Sequence, residues 1–265
     1  MAYFKLASIN AFLFPLRCLG RIKSLSRNSP AQHASMTNKI GPTVTSHTTV
    51  LPTSSIFDWK EYNVVSDILN EYVVAVRAMM WEVLKLMAEG LGLKEKDALV
   101  RLVSHEESDS VLRVNHYPPH PEFKQQGHGR LTGFGEHTDP QIISVLRSND
   151  TAGLEISLRD GSWASVPPDR KSFFINVGDV LQVLTNGRFR SVRHRVMVSS
   201  PRSRVSVIFF AGPPPREQLA PLPWLVAEDG GRRRYREFTW REYKASAYRT
   251  KLAENRLCHF ETEAD

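Results

Sequence analysis

Between Val111 and Phe210 the chain is cut into short apolar runs by turn residues, and few folds accept that pattern. Residues 111–117 read as a strand closed by Pro118 and Pro119, and 142–147 as another. Residues 154–158 alternate apolar and polar, Asp160-Gly161 offers a tight turn, and 163–166 return, which is a hairpin signal. Residues 173–177 follow, then 180–184 after a Gly-Asp turn, with Asn186-Gly187 marking another reversal. Residues 191–198 and, past Pro201, 204–210 complete the series. Short strands with evenly spaced turns predict a closed or double-sheet β fold. The expected class is mainly β with flanking helices.

Helices are expected on both sides of this block. Over 64–87 the residues Val65, Ile68, Leu69, Tyr72, Val76, Met79, Met80, Val83 and Met87 recur at steps of three and four, the period of a helix stripe facing a core. Gly90 and Gly92 offer a stop, and a second, shorter helix is expected over 94–102. Residues 106–109 form a polar link, and 121–130 a loop. Near the end Thr239 and Glu242 have the spacing of a capping box, which predicts a helix running to about Asn255 against the outer face of the sheets. The acidic final residues are expected to fray.

The first 57 residues differ in kind. No Asp or Glu precedes Asp58, whereas Lys5, Arg17, Arg21, Lys23, Arg27 and Lys39 make the segment basic, with frequent Ser and Thr. Organelle transit peptides have this composition, and so does a disordered leader. The expected division is therefore an atypical, disordered leader over 1–57, a helical segment over 58–110, and a catalytic domain with a C-terminal helix over 111–265. The net charge of +7 comes from the leader and from the run Arg232-Arg-Arg-Tyr-Arg236. Without a base-reading motif that run reads as a solvated loop, so no nucleic-acid partner is expected. No apolar run approaches a membrane span, so no membrane partner is expected either. Cys18 and Cys258 are too few for a disulfide framework. No internal repeat, glycine-rich phosphate loop or Gly-x-Ser-x-Gly elbow is present.

Within the β block, Gly135-Glu-His-Thr-Asp139 carries the strongest chemical signal. His137 and Asp139 are two apart, and on an extended strand such residues project to one face. An imidazole and a carboxylate from one strand end, joined by His194 from a strand alongside, would leave half of an octahedral ion's positions open, as an oxygen-activating Fe(II) site requires. Metal ligands on facing strands suit a double-stranded β-helix, the jelly roll. Arg204 and Ser206, again two apart, follow on another strand. Glu136 points away from His137 on a strand and is given a surface or supporting role. His33, His47, His105, His116, His120, His128 and His259 lack partners at useful spacing.

His137-x-Asp139, His194 and Arg204-x-Ser206 together resemble the site of the plant-type Fe(II)/2-oxoglutarate-dependent dioxygenases. The surrounding text is closest to the gibberellin 2-oxidase branch. It includes Arg113-Val-Asn-His-Tyr-Pro-Pro119, Leu131-Thr-Gly-Phe-Gly-Glu-His-Thr-Asp-Pro-Gln-Ile-Ile-Ser144, Asn176-Val-Gly-Asp179, Thr185-Asn-Gly-Arg-Phe189, Ser191-Val-Arg-His-Arg-Val196 and Phe238-Thr-Trp-Arg-Glu-Tyr243. The resemblance implies Fe(II) on His137, Asp139 and His194. It implies 2-oxoglutarate as cosubstrate, with its distal carboxylate on Arg204 and Ser206 and with Asn115 and Tyr117 close by, and ascorbate as reductant. Dioxygen and a gibberellin would be the other reactants, and 2β-hydroxylation would inactivate the hormone. The substrate's carboxylate needs a cation, for which Arg147, Arg193 and Arg195 are candidates. The family is mostly cytosolic, so the expected compartment is the cytoplasm, or an organelle if the leader is a transit peptide. Two alternatives stand: a sister oxygenase of another plant metabolite, such as a flavonoid, or a shortened, non-catalytic product, because 1–57 do not match the region that precedes the family's core. Oligomeric state is not readable from these residues.

Overall fold

The structure is a computed structural model; it describes residues 11–15, 47–52, 63–119, 131–198 and 202–262, with side chains described from 67 onward. In chain order the elements are β1 (Ala11–Pro15), β2 (His47–Pro52), α1 (Asn63–Gly90), α2 (Arg101–Ser104), β3 (Val111–Tyr117), β4 (Leu131–His137), β5 (Ile143–Ser148), β6 (Leu154–Ser157), β7 (Trp163–Ser165) and β8 (Ser172–Val177). Then come α3 (Asp179–Leu184), β9 (His194–Val198), β10 (Arg204–Ala211), β11 (Gln218–Leu219), α4 (Pro223–Glu228), β12 (Phe238–Thr239) and α5 (Trp240–Arg249).

Two antiparallel sheets carry the site. The larger has the order β1-β8-β5-β10-β3-β2, and the smaller β4-β9-β6-β7. Alternation along the strands of the larger sheet sends neighbouring residues to opposite layers. Val145 and Phe209 join the core that α1 covers, while Leu146 and Ile208 join Leu154 and Ile156 of the smaller sheet. With one face under helices and the other under a second sheet, the strands are apolar on both sides. The jelly roll expected from the sequence is the fold observed.

Tyr72, Val76, Met80, Val83 and Met87 form the buried stripe of α1, as their spacing predicts, with Leu84 joining it, but Ile68 lies outside it and is 41% exposed. Residues 180–184, read as a β segment, are helical instead. Val180, Leu181, Val183 and Leu184 are all buried, and Gln182 is the run's single polar residue, too little to reveal its period. The second helix is reduced to Arg101–Ser104, with turns before it. Thr239 and Glu242 do form a reciprocal capping box, but α5 ends at Arg249, where Thr250 turns to extended backbone.

Two stretches of the expected leader are strands at the edges of the larger sheet, β1 against β8 and β2 against β3. Each ends on a proline, which an edge strand tolerates because one side of its backbone needs no ladder partner. The rest of 1–57, the loop 121–130 with His128, and His120 lie outside the described residues. No helix among the described residues is long and apolar enough to cross a membrane.

Candidate metal and cosubstrate site

The smaller sheet places the two histidines. His137 ends β4 and His194 begins β9, and the register pairs them directly, with ring centroids 4.2 Å apart. The Nδ1 of His137 lies 2.7 Å from the Gly135 carbonyl oxygen, and that of His194 lies 3.1 Å from the Val192 carbonyl oxygen. A carbonyl only accepts, so each Nδ1 carries a hydrogen and donates it, which leaves each Nε2 as the ring atom turned toward a metal. Both Nε2 atoms face the same oxygen, Asp139 Oδ1, at 3.7 Å and 3.5 Å. Ligand atoms about 2.1 Å from a shared ion sit roughly 3 Å apart, so a small adjustment closes this set on a metal. Among the described residues these three form the one group of His, Cys, Asp and Glu side chains gathered for a metal, with ligand atoms within 4.8 Å of one another. Burial, and next the charge of His194, hold the His137 imidazole neutral, down to about 3, against the opposing pull of Asp139. That is the ligating form.

The larger sheet holds the carboxylate. Asp139 Oδ2 accepts from Ser144 Oγ at 2.5 Å and from Asn176 Nδ2 at 3.3 Å, residues of β5 and β8. Burial raises the Asp139 carboxyl more than any other single influence, but the two imidazoles, the Ser144 hydroxyl and Arg113 together outweigh it and hold the group below the usual carboxylate range. The loop carrying Asp139 is fixed from behind by the start of α3. Gly178 N donates to Ile142 O at 2.9 Å and Asp179 N to Asp139 O at 2.8 Å. A Cβ on Gly178 would fall 1.9 Å from the Gln141 carbonyl oxygen, so this approach requires glycine. The buried Asp179 accepts from Thr138 Oγ1 at 3.0 Å and Tyr243 OH at 2.5 Å, tying the residue between the ligands to α5. Burial pushes the Asp179 carboxyl up.

Beside the metal group, β10 and β3 pair Arg204 with Tyr117 and Ser206 with Asn115. All four are buried. The Arg204 guanidinium, 3% exposed, has Nε and Nη1 with no hydrogen-bond partner, and burial pulls its pKa down. An orphaned buried cation costs several kcal/mol and implies a missing acid. It lines a narrow cleft with Ser148, Gly153 and Phe174. Gly153, at φ +154°, leaves that space: a Cβ there would meet the Met197 carbonyl oxygen at 2.6 Å and Arg204 Cδ at 3.1 Å.

The remaining candidates are engaged elsewhere. Glu136 pairs with Arg193 at 2.5 Å. Arg195 pairs with Glu155 at 2.9 Å and stacks on Trp163. Arg147 shares the parity of Ile143 and Val145, which face α1, and its Nη2 donates to Arg170 O at 3.0 Å. His105, His116 and His259 stand outside the metal group, and the side chains of His33 and His47 are not among those described. The sequence reading missed the supporting roles of Ser144, Asn176 and Asp179. All lie inside motifs it had singled out, and for Ser144 and Asn176 strand parity with Leu146 and Phe174 was the available signal.

The sequence model of the 2OG-Fe(II) oxygenase superfamily matches residues 108–213, the stretch that holds every residue of this site. A gibberellin 2-beta-dioxygenase of Phaseolus coccineus is 56% identical over 197 residues, covering 74% of this chain and 59% of the relative. Residues 108–213 thus carry the sequence of a 2OG-Fe(II) oxygenase domain. Gibberellin 2-beta-dioxygenase 1 of Pisum sativum is 57% identical to this chain over 194 residues, covering 73% of the chain and 58% of the relative. The chain thus spans somewhat under two thirds of the length of such relatives. Among solved structures, that of JOX2 in complex with 2OG, Fe and JA aligns with a TM-score of 0.66 at 27% identity, covering 76% of this chain and 59% of the other. A dioxygenase for auxin oxidation in rice aligns with a TM-score of 0.68 at 25% identity, covering 82% and 73%.

Proposed function

We propose that this oxygenase uses Fe(II), 2-oxoglutarate and dioxygen to hydroxylate gibberellins at the 2β position. The observation that carries the reaction class is the pairing of a His-Asp-His group with an orphaned buried arginine in the same inter-sheet space. The substrate class is supported by the gibberellin 2-beta-dioxygenases to which the chain is similar.

In this reading His137, Asp139 and His194 hold the ion through Nε2, Oδ1 and Nε2. Their donor set suits Fe(II) with three positions open. Bound Fe(II) with 2-oxoglutarate supplies the oxidising power: the cosubstrate goes to succinate and carbon dioxide while one oxygen atom enters a substrate C–H bond. The chain's own residues bind and orient. Gly135 and Val192 keep the imidazoles in the ligating tautomer, and Ser144 with Asn176 keeps Asp139 Oδ1 turned inward. The planar fork of Arg204 suits a carboxylate bidentately, Ser206 adds a hydroxyl, and Asn115 and Tyr117 stand opposite Ser206 and Arg204 on β3. Their burial excludes water from the cosubstrate.

The deciding experiment measures 2-oxoglutarate consumption by the full chain with Fe(II), ascorbate and bioactive gibberellins, with products resolved by mass spectrometry. A 2-hydroxylated gibberellin is expected. Turnover of a flavanone but no gibberellin overturns the substrate class, and metal binding without any turnover points to the non-catalytic alternative. An Arg204→Lys variant keeps the charge but loses the fork. One charge-assisted hydrogen bond is worth about 1.5–3 kcal/mol, so the KM for 2-oxoglutarate should rise about 10- to 100-fold. Unchanged cosubstrate affinity by titration removes that assignment. We place the reaction in the cytoplasm, on the ground that the resembled family is mostly cytosolic. Organellar fluorescence from a fusion of the first sixty or so residues would move it.

A further inference from the structure

The inter-sheet space contains a second arginine that no step above uses. On β3 the side chains at 111, 115 and 117 face the smaller sheet: Val111 packs on the inner apolar cluster, and Asn115 and Tyr117 are the partners of Ser206 and Arg204. Strand alternation sends Arg113, between them, to the same face. Its guanidinium carbon lies 5.0 Å from the centroid of the Phe210 ring, a member of that inner cluster. Arg113 Nε is buried with no hydrogen-bond partner. No described carboxylate lies within 4.0 Å of its nitrogens. A cation in that setting calls for an anion from outside the chain.

The cosubstrate is not that anion. The register sets Arg113 opposite Ile208, four positions along β10 from Arg204, or about 13 Å of strand. A five-carbon diacid with one end on Arg204 and the other on the ion has no carboxylate left for Arg113. Yet Arg113 is close enough to Asp139 for its charge to act on that carboxylate. Beside the ion, Phe134 stands edge-on to the His137 ring at 4.6 Å and gives the space an apolar wall. The arginines considered first, 147, 193 and 195, are turned to the helix layer or paired with Glu136 and Glu155.

We infer that Arg113 receives the carboxylate of the substrate and so sets which carbon of a rigid, apolar acid faces the ion. The inference rests on the gibberellin reading for the acid's identity. Arg113 is a specificity residue here: it touches the substrate away from the reacting carbon.

The test titrates a bioactive gibberellin and its carboxyl methyl ester into the full chain loaded with Fe(II) and 2-oxoglutarate without oxygen, so that affinity is read without turnover. Wild-type protein should prefer the free acid by about 10-fold or more, the factor for one hydrogen bond to a charged group. Arg113→Gln should abolish that preference, with ester affinity changed less than about 3-fold and 2-oxoglutarate affinity unchanged. Arg113→Lys should retain part of it, which separates lost recognition from lost fold. Equal weakening of acid and ester, an unchanged preference, or weakened 2-oxoglutarate binding each overturns the inference. Wild-type protein that binds 2-oxoglutarate but neither gibberellin form sinks the gibberellin reading, and this inference with it. Wild-type preference that Arg113→Gln leaves intact sinks the inference alone.

Discussion

Replacing Asp139 with alanine should lower the affinity for Fe(II) by well over about 100-fold and end 2-oxoglutarate consumption, because groups one step removed from a metal already account for 10- to 100-fold. Asp139 Oδ1 is the atom on which both imidazoles converge, at 3.7 Å and 3.5 Å. Without it the two histidines face a hole, and two neutral imidazoles hold a divalent ion weakly. Ser144→Ala is the graded comparison. It removes the 2.5 Å donor to Oδ2 and leaves all three ligands, so its loss should stay within about 10- to 100-fold. Isothermal titration with Fe(II) under argon gives both numbers. Asp139→Ala protein that keeps affinity within about tenfold of wild type would remove the metal site proposed here.

The second large effect is expected at a residue that touches no ligand. Gly178→Ala places a Cβ 1.9 Å from a backbone carbonyl oxygen, and backbone cannot swing aside as a side-chain tip can. Its φ of −96° is ordinary, so the cost is collision and not torsion. Either α3 withdraws or residues 139–141 move, and each choice breaks the hydrogen bonds from Gly178 and Asp179 to that loop. Overpacking costs about 1–3 kcal/mol even in yielding cores. Here the loss should reach about 3 kcal/mol or more, read from the denaturation midpoint, with weaker metal binding alongside. A variant as stable as wild type would show that the loop is held less tightly than its hydrogen bonds indicate.

The parts of the molecule that could be read in advance share one property: their signal is local. Arg204 and Ser206 sit at a spacing of two on β10, where the strand period puts both on one face. His137 and Asp139 share that spacing, although β4 ends at His137 and Asp139 comes from the loop beyond it. The capping box at Thr239 and Glu242 is likewise complete within four residues. What could not be read depends on packing. Residues 180–184 are buried but for the single polar Gln182, too little for either period to show. The strands β1 and β2 lie in a basic, Ser-rich segment whose composition speaks for disorder, and their pairing partners are far away in sequence. Arg113 is a different case. It stands two residues before Asn115 and four before Tyr117, which the resemblance supplied, and strand parity puts all three on one face. Arg193 and Arg195, the cations beside His194, are strand neighbours of a ligand and face away from it.

The route of the chain between β4 and β5 has a mechanical meaning. β4 belongs to one sheet and β5 to the other, and Asp139 stands in the crossing. An ion gripped by two histidines of the first layer and by a carboxylate anchored to the second is a rivet through the sandwich. Filling the site would stiffen the whole barrel against splaying at its mouth, and emptying it would let the layers breathe apart.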